Sequence, residues 1–589
     1  MGVVKPEQLI RVDAQPFMIS GKLNHGYYVF RSKVQNLDSK PHKVSLVCPN
    51  VASKSFELQP RETINASLPL PVMNSNFGSD IQVYSDNQKL YSVPCPMHHN
   101  YISYSSPRRP YVSYAPDENS ISNTFLISRS LRKQFIESEC IFSETDCKYW
   151  PQDRLDYSCL DFIILTPAEL AVAPAGVQNA LHQFVLSGGI LWLFNCEEQT
   201  DSLKKIEWIT QIRNEANALD YTITETGPKN LPSADIHFPD LKSTQIPVAF
   251  GGIVLIGNPA EDFDNMTFDV LFKIIWKSQM ALSKPLWYEQ EPLRQWQQDF
   301  KTVDSFSIPV SEIGVVLFLF VFLAGPFNLF ILTKYNKRIL LFVTVPALSF
   351  LFSIAILLYT VLSDGFRTEV RLNSFNYLDQ RTGAYSSMTQ MGIYARTTPR
   401  NVQFDSNDEL NISVNDISPK NLALVIDWTT GKQTLSRIFA PVRTPAYYKT
   451  RKTGTTRLKL EFDFKAEHPY VLNGLGKDIT TLVVRDEKGG LWKAEFIAAG
   501  QKTLLVKLNK NEGNVAGALA YPYLISHRNW VARNNLLITN AIDRSFSFDN
   551  DLPNNCYVLF FNSPGPFSSK GIEYAQEKSC ASILLGRFK

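Results

Sequence analysis

Two apolar runs, Ile313 to Thr333 and Ile339 to Leu362, joined by the link Lys334-Tyr335-Asn336-Lys337-Arg338, constrain this chain more than any other stretch of it. At about 1.5 Å of rise per residue, each run reaches roughly the 30 Å of a bilayer's hydrocarbon core. Neither run contains a formal charge. Core helices of a soluble domain would show a polar face, and these are apolar on every side. The pattern predicts a transmembrane helical hairpin over 312–362, with spans at 313–333 and 339–362.

The link sets the topology. Lys334, Lys337 and Arg338 crowd it, whereas Arg294, Lys301, Arg367 and Arg371 on the outer flanks are mixed with acids. The positive-inside rule puts the link in the cytoplasm and both large flanks outside it. That orientation requires a route of export, because Met1-Gly2-Val3-Val4-Lys5 opens into polar sequence without an apolar signal core. The reverse orientation is the competing topology. Within the spans, Gly325 and Pro326 are expected to kink the first helix, Pro346 sits in the second, and Asn328 needs a polar partner. That partner is either Thr344, Ser349 or Ser353 of the hairpin itself or a separate membrane protein. With no acidic or basic residue inside either span, an ion or proton relay is not expected.

At 589 residues, 44% hydrophobic and 20% charged, the remainder is water-soluble material, since a multispan transporter would be far more apolar. A net charge of +3 provides no basic field for nucleic acid. Cysteines at 48, 95, 140, 147, 159, 196, 556 and 580 contain no C-x-x-C metal pair. In an oxidising compartment, Cys48 with Cys95, Cys140 with Cys147, and Cys556 with Cys580 are candidate disulfides; unrelated free thiols are the alternative.

Taken in order, residues 1–106 read as an immunoglobulin-like β-sandwich, from strand-like Tyr27 to Phe30, Lys43 to Val47, Asn65 to Leu68 and Ile81 to Tyr84. Residues 107–285 read as an α/β domain, with Pro110 to Tyr114 as a first strand and a helix around Ser122 to Glu137. Its clearest unit is strand Leu160 to Leu165, a helix presenting Val177, Ala180, Leu181, Phe184 and Val185 on one face, the cap Gly188-Gly189, and strand Ile190 to Phe194. That is a βαβ unit and implies a parallel sheet. Further helices are expected near Leu203 to Ala216 and Asp264 to Gln279, and a strand at Gly252 to Gly257. Residues 286–311 form an interfacial linker carrying Trp287, Tyr288, Trp296 and Phe300. Residues 363–450 and 451–589 read as two β domains, the second with a hairpin turning at Asp486 to Gly490 and a helix within 511–540. No repeat period is evident. The fold class is thus a multidomain α+β membrane protein: Ig-like sandwich, flavodoxin-like α/β domain, transmembrane hairpin and C-terminal β-sandwich region.

Asp161 to Leu165, the following helix, and the Gly188-Gly189 turn into an apolar strand resemble the class I glutamine-amidotransferase-like, flavodoxin-type domain of bacterial membrane-anchored proteins. Gly325-Pro326-Phe327-Asn328, Pro346, Asp364-Gly365-Phe366-Arg367 and Cys556-Tyr557-Val558-Leu559 extend that resemblance along 110–589. It implies a bacterial inner-membrane location and work beside ABC-type transporter components in an export or gliding-type machine. The amidotransferase reaction itself needs a thiolate on a sharp strand-to-helix turn, a histidine base and an orienting carboxylate. Asn195-Cys196-Glu197-Glu198 lacks the glycines of a G-x-C-x-G elbow, and His182 and His237 lie in no H-x-E pair, so Cys196 is a weak catalytic candidate that reads as a structural thiol. Glu197-Glu198 and Glu261 to Asp264 read as solvated loop acids, and His98-His99 as surface histidines. No metal or cofactor is expected.

The expectation is a non-enzymatic, membrane-anchored extracytoplasmic scaffold or accessory subunit, with the lipid bilayer and other envelope proteins as partners. A Cys-dependent hydrolase in the α/β domain and glycan or cell-wall binding by the sandwiches are the alternatives.

Overall fold

The computed structural model describes residues 9–15, 26–71, 80–94, 125–131, 141–143, 145–215, 219–223, 241–259, 310–336, 338–364, 367–399, 402–412, 425–436, 442–508, 552, 554–578 and 580–589. It is a mixed α+β protein with several β-sheets and two apolar helices of membrane-span length, Gly314–Lys334 and Arg338–Leu358. The strand expected at Pro110 to Tyr114, the helices expected at Asp264 to Gln279 and within 511–540, and the linker aromatics lie outside the described residues.

The βαβ unit forms where its pattern places it. Strand Phe162–Leu165 is buried along its whole length, as a strand covered on both faces requires. Helix Ala175–Leu186 turns Val177, Ala180, Leu181, Phe184 and Val185 inward, and Gly188 ends it at φ 116, a conformation a side chain would strain. Strand Ile190–Leu193 then pairs parallel to the first, Phe162 opposite Ile190. The return is tight: a Cβ on Gly189 would meet the Phe184 ring at 2.2 Å. Strands Gly251–Ile256, Ile190–Leu193, Phe162–Leu165, Phe125–Ile127 and Ile141–Phe142 lie in parallel order, and Leu241–Val248 and Leu219–Ile223 add an antiparallel edge. The helix expected around Ser122 to Glu137 is not what forms at its centre. Phe125–Ile127 is a strand, followed by a short 3-10 turn at Arg129–Leu131. Parallel neighbours on both sides supply that backbone with hydrogen bonds, and this tertiary pairing overrides the local pattern.

Strand pairing runs across the expected boundaries of the β regions. Sheet Ile10–Ala14, Tyr27–Asn36 and Thr63–Pro71 shares a core with a second sheet in the order Val402–Phe404, Gln433–Ser436, Val425–Asp427, Ala52–Leu58, His42–Cys48, Ile81–Ser85, Gln88–Val93. Its middle joint is parallel, Ile426 opposite Ala52 and Asp427 opposite Ser53, between stretches on either side of the hairpin. A third sheet, centred on Glu369–Asp379, takes Ala384–Tyr394 on one side and, in parallel, Ala581–Arg587 on the other. It continues through Cys556–Phe561 and Ile479–Arg485 to Leu491–Ile497.

One structural device occurs twice. Buried Asn36 donates through Nδ2 to the carbonyls of Lys40, Leu58 and Gln59, and its Oδ1 accepts from the Asp38 N–H. Buried Asn473 does the same with Lys477, Ile497 and Ala498, and its Oδ1 accepts from the Leu475 N–H. Each staple closes on a left-handed residue, Arg61 at φ 61 or Gly500 at φ 76, and each asparagine N–H donates to the next carbonyl, of Glu62 or Gln501. A buried amide with all of these partners satisfied fixes a unique corner. Around it, Tyr27–Asn36, His42–Cys48, Ala52–Leu58 and Thr63–Pro71 correspond in order to Tyr470–Gly474, Ile479–Arg485, Leu491–Ile497 and Lys502–Leu504.

Candidate functional site

The described residues hold their densest buried charge where three parts of the chain meet. Glu409, with no exposed surface, receives Arg451 through Nε and Nη2 at 2.8 Å each and Arg154 through Nη1 at 3.3 Å. Arg154 also donates to the carbonyls of Asn407 and Arg451. Arg451 donates to the carbonyls of Ser187 and Ser158. Beside this cluster, Arg31 grips buried Asp156 with two bonds of 2.6 and 2.8 Å. Tyr27 donates its hydroxyl to Gln433 Oε1 at 2.7 Å, and its N–H to Ser158 Oγ at 2.9 Å. Gly26, at φ 71, must be a glycine, since a Cβ there would meet the Ser158 carbonyl at 2.4 Å.

The electrostatics are those of a brace. Burial pulls the Arg154 pKa down, and the Glu409 charge opposes it. Burial raises Asp156 and Arg31 counteracts it. Charges this deep persist only when paired and hydrogen-bonded; here Arg154 and Arg451 share the Glu409 carboxylate, and Arg154 Nε is left without a hydrogen bond. The cluster offers no nucleophile. It ties strand Tyr27–Asn36, the segment around Arg154 to Ser158 and the strands bearing Glu409 and Arg451 together, and it is made of residues that sequence reasoning missed. Residues 154 and 409 are linked by no local pattern.

Cys196 lies just past strand Ile190–Leu193, where its Sγ donates to the Leu193 carbonyl at 3.1 Å. Burial pushes the thiol up to about 12. A nucleophilic thiol needs the opposite environment. The left-handed residue of this strand-to-helix turn is Asn195 at φ 64, whose Nδ2 donates to Glu198 Oε2. His182 stacks on Trp208 at 4.7 Å, and burial lowers it to about 4. His237, His98, His99 and Glu261 to Asp264 lie outside the described residues. Among the described residues, no group of His, Cys, Asp and Glu is placed to hold a metal ion.

The Cys556–Cys580 disulfide is not formed, and both are buried free thiols. Strand register explains this: Cys556 stands opposite Arg587 and Phe561 opposite Ser582, so the cysteines occupy opposite ends of the antiparallel pair. At about 3.4 Å per residue that is roughly 20 Å, against the ~7 Å limit for a disulfide. Cys48 and Cys147 are buried; Cys95 and Cys140 lie outside the described residues.

In the hairpin, Asn328 Nδ2 donates to Thr344 Oγ1 at 2.8 Å, so the two helices satisfy each other at that position. Gly325 and Pro326 fall in a π-helical turn, Leu323–Phe327, which absorbs the backbone groups that proline leaves unpaired. The site of a Cβ on Gly325 faces no atom within 4 Å, an open face on the first helix. Pro346 sits inside the second helix, Leu341–Asp364. Lys334 and Arg338 are exposed at the turn; Lys337 lies outside the described residues.

No protein-family model matches this chain, and no curated protein does. Among solved structures, the yeast delta-COP-I mu-homology domain is similar at 8% identity and a TM-score of 0.17, covering 38% of this chain and 96% of that one. The same domain complexed with a Dsl1 WxWxV peptide gives 9% identity and a TM-score of 0.14. Scores this low carry no argument about fold or function.

Proposed function

We propose that this chain is a membrane-anchored, non-catalytic assembly subunit, whose flanking regions form one braced body on a single side of the membrane. The observation that supports this best is the joint between Ala52–Leu58 and Val425–Asp427, reinforced by Arg154, Glu409 and Arg451. Segments on either side of the hairpin share one sheet, so the chain between them crosses the bilayer an even number of times. Lys334, Lys337 and Arg338 then favour a cytoplasmic turn and an extracytoplasmic body. The sandwiches are read as immunoglobulin-like and the parallel sheet as a flavodoxin-type, amidotransferase-like domain turned to scaffolding. A role beside ABC-type components of a bacterial envelope machine rests on that resemblance alone. The hydrolase alternative gains nothing from Cys196, whose half-buried thiol has a raised pKa and lies next to a turn held by Asn195.

Extraction of the full chain in mild detergent, with mass-spectrometric identification of what co-purifies, tests this reading. A stable complex with integral membrane proteins is the expected result. Recovery of the chain as a lone monomer would overturn it.

A further inference from the structure

The end of the central sheet nearest the hairpin carries a basic surface with exposed apolar groups among the cations. Helix Leu341–Asp364 has 24 residues, about 36 Å at 1.5 Å each, so its end lies among the headgroups rather than in the hydrocarbon. From Asp364 the chain can extend no more than ~18 Å before strand Glu369–Asp379 begins. Tyr394 pairs with Glu369, and Pro445 with Tyr394, so the starts and ends of three strands share this edge. Segment Gln576–Glu577 pairs alongside Glu369 and Val370.

We infer that this edge is a docking surface for the anionic phospholipid headgroups of the bilayer in which the hairpin sits, an inference that rests on the membrane-anchored reading above. Arg367 and Arg443 are exposed there. Arg396 and Lys578 reach Glu369 at 2.9 and 2.7 Å and surround that buried carboxylate with more positive charge than it can neutralise. Arg443 holds a left-handed φ of 59 with its N–H bonded to the Ala395 carbonyl, which fixes it beside Arg396. Tyr574, 56% exposed, and Val442, 46% exposed, stand among these cations. Among the described residues of this edge, Arg367, Arg396, Arg443 and Lys578 stand with Glu369, exposed Glu573 and Glu577, the last bonded to Lys570 at 3.1 Å. Basic side chains interleaved with a tyrosine and an aliphatic residue suit the interface, where the cations meet phosphate and the apolar groups enter the headgroup layer. The chain's own connectivity selects the bilayer as occupant, since it cannot carry this edge far from the membrane.

The full chain, reconstituted into nanodiscs of phosphatidylcholine alone or mixed with phosphatidylglycerol, is examined by hydrogen exchange. Amides at 442–444, 446 and 574–578 are expected to exchange severalfold more slowly in the anionic discs. The difference should shrink in high salt and in the R367Q/R443Q variant, by about fivefold in apparent affinity per cation removed. Neither substitution disturbs the pairing of Glu369. Equal exchange in both discs, with the hairpin amides protected, would overturn this inference while leaving the membrane anchor intact. Unprotected hairpin amides would overturn both. Slowing produced by free glycerol phosphate in zwitterionic discs would assign the surface to a soluble phosphate and overturn the lipid as occupant.

Discussion

Glu409 shows how much of this molecule depends on single buried groups. Two guanidinium groups converge on a carboxylate that has no contact with water. Replacing it with alanine leaves two buried cations uncompensated, and losing one member of such a set costs about 3–5 kcal/mol. Glu409→Ala should therefore melt well below the parent in detergent, while Glu409→Gln, which keeps hydrogen-bond acceptors, should fall between them. An unchanged melt in the alanine variant would mean that the brace carries no stability. His42 makes a different prediction. Its Nδ1 meets Asp86 at 2.7 Å and its Nε2 meets Asp38 at 2.9 Å. The Asp86 bond raises the imidazole pKa against burial, with Asp38 adding to it, and the bonds to His42 lower both carboxyls. The raised histidine stabilises the fold below its unfolded value of about 6.5, and that contribution is lost as pH rises through the higher folded value. The lowered carboxyls stabilise above about 3.9 and lose their contribution as pH falls through their folded values. The gap in melting temperature between parent and His42→Gln should thus be widest between about pH 4 and 6.5 and close toward alkaline pH. A gap that does not vary with pH would show that the two carboxylates do not hold the imidazole charged.

At the scale of elements, what the sequence made legible is what it encodes locally. The hairpin announces itself through uninterrupted apolarity, and the βαβ unit through Val177, Ala180, Leu181 and Phe184 at helical spacing before Gly188. The turn at Asp486 to Gly490 forms as its residues suggest, with Asp486 Oδ1 accepting from the N–H groups of Lys488 and Gly490. Phe125–Ile127 was not legible as a strand, because its conformation is decided by neighbours at 141–142 and 162–164. The disulfide expected between Cys556 and Cys580 failed for the same reason: spacing along the chain says nothing about register. The duplicated staple left a trace that composition hides. Asn36 and Lys40 match Asn473 and Lys477, and Pro60-Arg61-Glu62 matches Ala499-Gly500-Gln501, but the shared property is a backbone geometry that arginine meets in one copy and glycine in the other. Sequence identity is a poor detector of a motif whose hydrogen bonds fall mostly on main-chain carbonyls. As to the candidate site, the sequence pointed to Cys196 and the hairpin. It could not point to Arg154, Glu409 and Arg451, whose meeting requires the whole fold.

For the whole molecule, the decisive feature is that Ser53 and Asp427 are partners in one sheet. Neighbouring strands lie about 4.8 Å apart, within the Cα separation a disulfide tolerates. Both side chains are partly exposed, so cysteine at either position need not disturb the core. The doubly substituted chain S53C/D427C should give, on mild oxidation, a linked peptide pair containing both positions, which neither single variant gives. Its absence would dissolve the shared sheet, and with it the argument that an even number of spans separates the two segments. Its presence, obtained with a membrane-impermeant thiol crosslinker on intact cells, would place the body outside the cytoplasm with Lys334 and Arg338 inside. Linkage only after permeabilisation would keep the braced body and reverse its side. Joint and orientation are thus separable in one pair of substitutions: the first follows from backbone pairing, and the second from the charge of a short turn acting on a bilayer.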